Sequence, residues 1–343
     1  MSSITELNYG ELEHLLVNWQ ERIFHAHQIF SWIYKRQVTD FDAMSDIASS
    51  LRDKLKNEFN IFELKLVKVA ESRDETKKFL FSLKDGELIE AVIIPAKNRV
   101  TACITTQVGC KYACCFCASG VGGFKRNLTT AEIIQEVLFL NNHLRSKKIT
   151  HVVFMGTGEP LDNYDAVLKA IRIINSSEGL NIGARRITIS TSGVVPGIKK
   201  LSKEGMQFEL SVSLHSAIDK VRSRIMPVNK IFPLKDLIEA CSDYIKKTNR
   251  QITFEYVLIR NLNDDLESAK ALIKLLEPLK LVKVNLIPAN PVRELRIEAP
   301  DKLEIINFKI YLSKHGMHVT LRKSRGEDIE AACGQLRLNH ANK

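Results

Sequence analysis

The residues most able to do chemistry in this chain are four cysteines packed into GCKYACCFCASG, residues 109–120. Cys110, Cys114 and Cys117 have the spacing C-x3-C-x2-C. Three thiolates from one short loop suit an iron–sulfur cluster in which one iron keeps a coordination position open for a substrate. A structural zinc site more often uses four ligands in two pairs, and no second Cys/His pair follows here, so the ligand count favours a cluster and leaves zinc as the alternative.

The other cysteines need separate interpretations. Cys115 follows a candidate ligand directly, and neighbours on an extended chain point to opposite sides, so we predict that it is not a ligand. Cys241 falls at helical spacing in LIEACSDY and is interpreted as a core residue. Cys103 lies in an apolar strand pattern and Cys333 in a run of small residues, and free cysteines in such contexts are typically small buried hydrophobes.

The whole chain limits the kind of protein that carries these cysteines. With 343 residues, 45% of them hydrophobic, it can bury a full core as one large domain with an appendage or as two domains. It opens with no signal-peptide pattern and has no apolar run of about 18 residues, which predicts a soluble, cytoplasmic protein without a membrane partner. Its net charge of +10 includes basic pairs such as Lys77/Lys78 and Arg222/Arg224, which suit a polyanionic partner or form ordinary solvated faces.

The periodicity of apolar residues changes along the chain. Up to Phe62 it is helical, and from Leu64 to Cys103 it alternates as in antiparallel strands, with Asp85-Gly86 as a hairpin turn. We predict four units: a helical module at 1–62, a β-hairpin extension at 63–99, a β/α domain at 100–323 and a carboxyl-terminal segment at 324–343.

Strand and helix patterns alternate after the cysteines. Thr129-Thr130-Ala131-Glu132 is a capping-box signature that opens one of the helices. Counting the strand before the cysteines, we find six β/α units, which predicts an α/β fold with parallel strands, helices outside and the closure of an open or partial (β/α)6 barrel.

The notable motifs come directly after predicted strands. They are the cysteine segment, GTGEP (156–160), STSG (190–193), SLH (213–215) and Asn290-Pro291. Because the ligand site of a parallel β/α sheet lies at the carboxyl ends of its strands, we expect these segments to converge on one cavity.

These motifs resemble a known superfamily. Together, GCKYACCFC, GTGEP, STSG and SLH are similar to the radical S-adenosylmethionine (SAM) enzymes, whose C-x3-C-x2-C binds a 4Fe–4S cluster. Three further segments narrow the resemblance to the RlmN-type adenine carbon-2 methyltransferases over nearly the whole chain. They are FHAHQIFSWIYKRQVTDFDAM (24–44), RSRIMPVN (222–229) and SRGEDIEAACGQL (324–336).

The resemblance implies a radical SAM barrel, a reaction and its partners. The reaction is methylation of carbon 2 of adenosine 2503 in 23S rRNA and of adenosine 37 in tRNA. The cofactors are one 4Fe–4S cluster held by Cys110, Cys114 and Cys117, and two SAM molecules per turnover. The expected partners are 23S rRNA, tRNA and an electron donor for the cluster and for a disulfide, with the enzyme acting as a monomer. The helical module at 1–62 is then expected to be of an RNA-binding type.

The resemblance also implies residues that bind SAM. Gly158 and Glu159 contact its amino group, Ser190 and the segment Ser213-Leu214-His215 contact its ribose and carboxylate side, and Asn290 contacts its adenosine. The residues alone allow another interpretation for two of them. Glu159 suits a carboxylate that accepts backbone hydrogen bonds in a Gly-rich turn, and His215 suits a hydrogen-bonded core residue.

The implied reaction uses two more cysteines and a carboxylate. Cys333 takes a methyl group from one SAM, and a 5′-deoxyadenosyl radical made from a second SAM removes a hydrogen from that methyl. The resulting radical adds to adenine and gives a covalent protein–RNA adduct. Glu90 then accepts the proton of carbon 2, and Cys103 attacks the sulfur of Cys333, which releases methyladenine and leaves a transient Cys103–Cys333 disulfide.

Two alternatives remain at this stage. A Cfr-type enzyme would methylate carbon 8 of the same adenine, although GTGEP and SRGEDI are closer to the carbon-2 type. A zinc-stabilised RNA-binding protein would be colourless, whereas the enzyme would be brown and sensitive to oxygen. The chain departs from the usual family pattern at Cys115 and at Thr157, and neither change removes a predicted catalytic group.

Overall fold

The structure is a computed structural model that describes residues 1–144, 147–290, 297–322 and 325–329. Pro291 and Cys333, two residues singled out above, lie outside these described residues. The helices are α1 (Tyr9–Asn18), α2 (Phe24–Phe30), α3 (Ser49–Glu58), α4 (Thr130–His143), α5 (Tyr164–Asn175), α6 (Val195–Leu201), α7 (Asp219–Ile225), α8 (Leu234–Thr248), α9 (Leu266–Leu276) and α10 (Lys302–Lys314).

The strands run from β1 to β14. They are β1 (Ser2–Ser3), β2 (Phe59–Asn60), β3 (Lys65–Glu71), β4 (Lys77–Ser82), β5 (Leu88–Ala96), β6 (Arg99–Cys103), β7 (Gln107–Val108), β8 (Arg126–Asn127), β9 (His151–Phe154), β10 (Ile187–Thr191), β11 (Glu209–Ser213), β12 (Ile252–Leu258), β13 (Val282–Pro288) and β14 (Val319–Leu321).

The amino-terminal helices pack on one another and on α4. The predicted apolar positions, among them Leu12, Ile29 and Leu51, are buried and belong to the same hydrophobic core as the rest of the protein. The stretch is not purely helical, because β1 pairs in parallel with β2 and closes the helical segment. Polar contacts join it to α4, since the Glu6 carboxylate accepts a hydrogen bond from the Ala131 backbone N–H at 2.8 Å.

A ten-stranded sheet forms the centre of the molecule, in the order β14-β13-β12-β11-β10-β9-β6-β5-β4-β3. Strands β6 and β9 to β14 are parallel, with a helix between each consecutive pair, while β3, β4 and β5 continue the same sheet as antiparallel strands. The predicted α/β fold with a partial barrel of six β/α units is confirmed, with β14 as an added last strand. The strands of the hairpin extension, β3 to β5, belong to the same sheet as the parallel strands of the barrel.

The capping box predicted at the start of α4 is present. The Thr129 side chain accepts from the Glu132 backbone N–H at 3.2 Å, and the Glu132 carboxylate accepts from the Thr129 N–H at 2.9 Å. These bonds satisfy two donors that the first helical turn leaves without intrahelical partners. The helix therefore begins where the sequence predicts it.

The sheet has one apolar face and one polar face. Ile89, Ala91 and Ile93 of β5 join the hydrophobic core with the aromatic rings of β4 and α4; for example, the rings of Phe81 and Phe139 are 4.8 Å apart. Each such buried side chain stabilises the fold by roughly 1.5–3 kcal/mol. Because side chains alternate along a strand, the residues between them point to the opposite face, which we call the inner face. It carries Lys78, Glu90, Cys103, Ser190, Ser211, Ser213, Glu255 and Asn285.

The membrane prediction concerns helix length and composition. Among the residues that the structure describes, no helix is both long and apolar enough to cross a bilayer.

A buried carboxyl group on α4 has an effect on stability that depends on pH. Glu136 is fully buried; its Oε2 accepts from the Thr105 N–H at 2.9 Å, and its Oε1 has no hydrogen-bond partner among the described residues. Burial raises the pKa of Glu136 well above its usual value, although the Thr105 bond lowers it. The folded state therefore holds this proton more tightly than the unfolded state.

We expect Glu136→Gln to stabilise the protein at pH values above the ordinary glutamate pKa of about 4.3. Above that pH, Glu136 keeps its proton in the folded protein and releases it in the unfolded chain, so the stability of the wild type falls as pH rises. Glutamine does not titrate, so the variant lacks this loss. The gain should reach about 1–3 kcal/mol near neutral pH and shrink in acid. Anaerobic urea unfolding at two pH values measures it, with the exposed Glu277→Gln as control. A gain that does not grow with pH would contradict the expectation.

Candidate functional site

The cysteine loop is closed at its base by a short ladder. Strand β7 pairs antiparallel with β8, and the Lys125 N–H donates to the Val108 carbonyl at 2.8 Å. Gly109 has a φ of +79°, and a Cβ added there would lie 1.7 Å from the Gly123 carbonyl oxygen. Only glycine fits this close approach of two backbones, so the sequence of the loop ends determines its shape.

The three predicted ligands lie half-buried in this loop. Burial and the charge of Cys117 together raise the pKa of Cys110 to about 12, although a backbone hydrogen bond from Tyr112 lowers it. Burial also raises the pKa of Cys114 well above its usual value, and the charges of Cys117 and Cys110 add to the effect. Three thiolates so close together need a cationic group between them.

An iron–sulfur cluster fits this donor set, because it takes soft thiolate ligands and supplies positive charge. In the described part of the chain, no three His, Cys, Asp or Glu side chains already form a metal site. The fit thus rests on the type and proximity of the donors. Cys115 is attached through its main chain instead, since its N–H donates to the Ile225 carbonyl at 3.0 Å.

The GTGEP turn packs directly on the connection between β6 and β7. A Cβ on Gly156 would come within 2.5 Å of the Ile104 carbonyl oxygen, and Gly158 has a φ of +106°. The Thr157 carbonyl accepts from the N–H groups of Thr106 and Gln107 at 2.9 and 3.2 Å. The two glycines therefore determine the turn geometry, and Thr157 is compatible with it.

Glu159 links two strand ends. Its Oε1 accepts from the Leu161 N–H at 3.0 Å, and its Oε2 accepts from the Ser192 N–H at 2.6 Å. Burial raises the pKa of Glu159, while these hydrogen bonds lower it. The carboxylate thus has the structural role that the sequence allowed as an alternative: it joins the turn after β9 to the turn after β10.

His215 also has the structural role considered above. Its Nδ1 accepts from the Val257 N–H at 3.0 Å, which assigns the proton of the neutral ring to Nε2. Burial and, to a smaller extent, the charge of Arg222 lower the pKa of His215 to about 3, so the ring is neutral at physiological pH. The ring packs edge-to-face on Phe116 at 4.6 Å and so attaches the cysteine loop to β11 and β12.

The other predicted SAM residues take different positions. Ser190 and Ser213 lie half-buried on the inner face at the ends of β10 and β11. Leu214 is fully buried in the hydrophobic core, so its main chain rather than its side chain borders the site. Asn290 is exposed two residues beyond β13, at the same end of the sheet.

Arg222 is a residue whose role the sequence analysis missed. It was grouped with surface basic pairs, but it is fully buried, as is Lys78. Its guanidinium donates to the carbonyls of Leu214 at 3.0 Å, Ser213 at 3.1 Å and Ser192 at 2.7 Å. Burial lowers the pKa of Arg222 to about 10, so it remains a cation that holds the ends of β10 and β11 together.

Two buried hydroxyl groups mark the site as polar. The Oγ1 of Thr106 has no hydrogen-bond partner among the described residues, and the Oγ of Ser192 has at most a contact with the Glu159 carboxylate. Buried polar groups of this kind normally find a partner, so they are suited to a polar ligand such as SAM. No sequence pattern distinguishes them from the other serines and threonines that end strands.

Four polar residues form a row across the inner face of the sheet. Ser213, Glu255, Asn285 and Thr320 are in register on four adjacent strands. Asn285 donates to the Glu255 carboxylate at 2.7 Å, and Thr320 donates to Asn285 at 2.8 Å. Burial raises the pKa of Glu255, although the Asn285 bond lowers it. Only the pairing of the strands brings these residues together.

Glu90 and Cys103 lie on the antiparallel side of the inner face. Glu90 is 4% exposed, and its Oε2 lies 2.9 Å from the Nζ of Lys78, which is 0% exposed. Lys78, Val92 and Cys103 occupy one row across β4, β5 and β6. The Thr105 hydroxyl donates to the Glu90 carbonyl at 2.6 Å. A buried ion pair and a buried thiol thus share one surface.

The segment before Cys333 is anchored to the turn between β3 and β4. The Asp328 carboxylate accepts from the Ser72 hydroxyl at 2.5 Å and from the Arg73 N–H at 3.1 Å. In return, the Asp74 carboxylate accepts from the Gly326 N–H at 3.2 Å. The turn of the hairpin extension therefore holds Gly326 and Asp328, and Asp328 is five residues before Cys333.

Comparisons with known proteins agree with this architecture. The radical SAM superfamily matches residues 104–273, and the ribosomal RNA large subunit methyltransferase N-terminal domain matches residues 3–61. The crystal structure of a radical SAM methyltransferase from Sphaerobacter thermophilus superposes with a TM-score of 0.94 at 40% identity, covering 98% of this chain and 99% of that one.

Two relatives are named "Probable dual-specificity RNA methyltransferase RlmN". The protein from Geobacillus thermodenitrificans is 46% identical over 98% of this chain and 93% of its own length. The protein from Dictyoglomus turgidum is 46% identical over 98% of this chain and 97% of its own length. Superfamily membership implies SAM and a 4Fe–4S cluster, which the donor set described above fits. The chain therefore belongs to the RlmN family of radical SAM enzymes and is a SAM-dependent RNA methyltransferase.

Proposed function

We propose that this enzyme methylates carbon 2 of adenine in 23S rRNA and in tRNA. Support comes first from its relatives, whose name describes a dual-specificity RNA methyltransferase. The observation that carries the proposal is the placement of a buried carboxylate, Glu90, and a buried thiol, Cys103, on one face of the sheet. A route through a covalent RNA adduct needs one group to accept a proton and another to release the product.

The reaction requires radical chemistry because carbon 2 of adenine is electron-poor and the methyl group of SAM is an electrophile. Cys110, Cys114 and Cys117 would hold the cluster, which when bound supplies the electron that cleaves SAM to a 5′-deoxyadenosyl radical. The closed ladder of β7 and β8 keeps these three residues in one loop. Two SAM molecules are used per turnover, one for the methyl group and one for the radical.

The polar end of the barrel would bind SAM. Since the Glu159 carboxylate accepts from Leu161 and Ser192, we assign its contact with the SAM amino group to main-chain atoms of Gly158 and Glu159. The hydroxyls of Ser190, Ser192 and Ser213 are then suited to the ribose and carboxylate side. Asn290 and the main chain of Leu214 and His215 complete the proposed contacts.

Glu90 and Cys103 would act after the adduct has formed. For the ring to become aromatic again, the radical adduct must lose one electron and the proton of carbon 2. The electron would return to the oxidised cluster, when bound, and Glu90 would accept the proton. The Cys103 thiolate then attacks the sulfur of Cys333: a sulfur–sulfur bond forms and the sulfur–methylene bond breaks. The electron pair of the broken bond goes to the methylene carbon, which takes a proton and becomes the methyl group. An external dithiol must afterwards reduce the disulfide.

The anchor before Cys333 supports its assignment as the methyl-accepting residue. Cys333 is four residues after Ile329, and four residues span at most about 14 Å when fully extended. Asp328 and Asp74 hold that starting point on the β3–β4 turn, which belongs to the same antiparallel strands as Lys78 and Glu90. The anchor therefore supports the proposal that Cys333 acts beside Glu90 and Cys103.

An anaerobic assay tests the proposed function. The enzyme is reconstituted with iron and sulfide and supplied with SAM, a reductant and either a 23S rRNA fragment or tRNA, and the nucleosides are identified by mass spectrometry. The proposal expects 2-methyladenosine from both RNAs. Finding 8-methyladenosine would assign the Cfr-type reaction, and finding neither with a fully loaded cluster would overturn the substrate assignment.

We expect Cys333→Ala to abolish methylation because no other residue is proposed to accept the methyl group. Iron and sulfide contents should match the wild type, since the cluster ligands are unchanged. The measurement is methylated nucleoside formed per protein alongside the iron content. Any sustained methylation by this variant would rule out the two-step route.

A further inference from the structure

We propose that Lys78 is a positioning residue of the reaction, which keeps Glu90 ionised and aimed across the inner face. This inference rests on the proposed role of Glu90 as proton acceptor. The two side chains form an ion pair of 2.9 Å in which neither group has appreciable contact with solvent. They come from adjacent antiparallel strands, so the sheet itself brings them together.

A carboxylate in this place needs a cation. Removing a carboxylate from water without a partner is so unfavourable that the group takes up a proton instead, and a protonated Glu90 accepts no second proton in the reaction. The ammonium group of Lys78 opposes that loss by direct attraction. A lysine suits the task because its charge is compact and its three N–H donors adapt to one carboxylate.

The strand register places Lys78 beside both groups that act on the adduct. Lys78 is directly opposite Val92, and Val92 is directly opposite Cys103, so lysine and cysteine lie in one row. Glu90 lies in the next row, opposite Leu80. Of the described titratable groups, Lys78 on β4 and Cys103 on β6 lie in the row next to Glu90, and Glu255 on β12 lies farther across the same face. Glu136 on α4 lies behind the sheet and is linked to it through Thr105.

The ammonium group has two opposing effects on catalysis. It keeps the carboxylate charged, which makes the base available, and it stabilises that charge, which makes the base weaker. The rate of proton transfer rises by less than tenfold for a tenfold gain in the basicity of the carboxylate. A loss of ionised Glu90 therefore slows the reaction more than the higher basicity of the remaining carboxylate speeds it. Without Lys78, proton removal should be slow near neutral pH and should recover as pH rises.

The test measures how fast the protein–RNA adduct is resolved in a single turnover. Denaturing gels report this rate, because they separate released RNA from RNA that is still bound to the protein. Lys78→Met should slow resolution by roughly 100-fold near neutral pH, and its rate should rise with pH more steeply than that of the wild type. Lys78→Arg keeps the charge and should restore much of the rate. Lys77→Met is the matched control, because this neighbouring lysine pairs with Glu71 at the surface.

Further variants separate the outcomes. Glu90→Gln should accumulate adduct at every pH, and if it does not, the proposed role of Glu90 is wrong. If Glu90→Gln accumulates adduct but Lys78→Met resolves it at the wild-type rate, the inference about Lys78 is overturned. The inference would also be overturned if Lys78→Arg resolved the adduct as slowly, and with the same pH dependence, as Lys78→Met. It would likewise be overturned if the defect of Lys78→Met did not change with pH.

A stability measurement identifies a purely structural role. Lys78→Met leaves a carboxylate buried without its cation and should lower the melting temperature, whereas the double variant Lys78→Met/Glu90→Gln should recover it. The double variant should nevertheless accumulate adduct, since it lacks the base. Recovery of both stability and adduct resolution in the double variant would assign the pair to folding alone.

Discussion

Cys103→Ala is expected to form the covalent adduct with RNA and then stop, so that each protein molecule retains one RNA and releases no methylated product. In the proposed route, only the Cys103 thiolate breaks the bond between the Cys333 sulfur and the methylene carbon. The thiol is buried on the inner face beside Val92 and in one row with Lys78. The adduct is measured by gel shift under denaturing conditions and by intact mass.

Cys241→Ala is the matched control for this result. It makes the same truncation at another buried cysteine, which lies on α8 and packs in the hydrophobic core. Losing this contact should cost about 1 kcal/mol of stability and leave turnover intact. Continued turnover by Cys103→Ala, or adduct accumulation by Cys241→Ala, would contradict the assignment of Cys103.

Cys114→Ala is expected to lose most of the bound iron and sulfide and all methylation, because two thiolates from the loop are too few to hold the cluster. Cys115→Ala, which removes the adjacent thiol, should retain iron, sulfide and the brown colour. The main chain of Cys115 is bound to Ile225, and this contact does not involve the thiol. The pair thus compares two neighbouring thiols in one loop.

Metal analysis after anaerobic reconstitution measures both variants. Equal iron loss in Cys114→Ala and Cys115→Ala would show that Cys115 is a ligand and that the three-cysteine assignment is wrong. Stoichiometric zinc in place of iron in the wild type would favour a structural metal site. Absorbance and paramagnetic resonance of the reduced protein distinguish the cluster from iron bound elsewhere.

Much of the fold could be predicted because it depends on local patterns. Alternation of strand and helix periodicity leads to parallel strands with outer helices, and a capping box gives the start of α4. The motifs at the strand ends were placed together by the same topology. By contrast, the parallel pair β1 and β2 has only two residues in each strand, too few to produce a recognisable period.

The roles of individual polar residues were harder to predict, because they depend on contacts between distant segments. Lys77 and Lys78 are identical neighbours in sequence, yet one is at the surface and the other is fully buried against Glu90. Arg222 was likewise grouped with a basic surface, although it binds carbonyl groups at the ends of two strands. Nothing in the residue types distinguishes these cases before the strands are paired.

The closed base of the cysteine loop has a consequence for how the enzyme acquires its cofactor. The ladder of β7 and β8, the packing of Phe116 on His215 and the hydrogen bond from Cys115 to Ile225 all involve protein groups alone. Small zinc domains use part of their metal-binding energy to fold the chain. Because the contacts of this loop do not use the metal, we expect little of the binding energy to be spent on ordering it. We therefore expect folding to precede cluster insertion, and an enzyme that has lost its cluster to accept a new one.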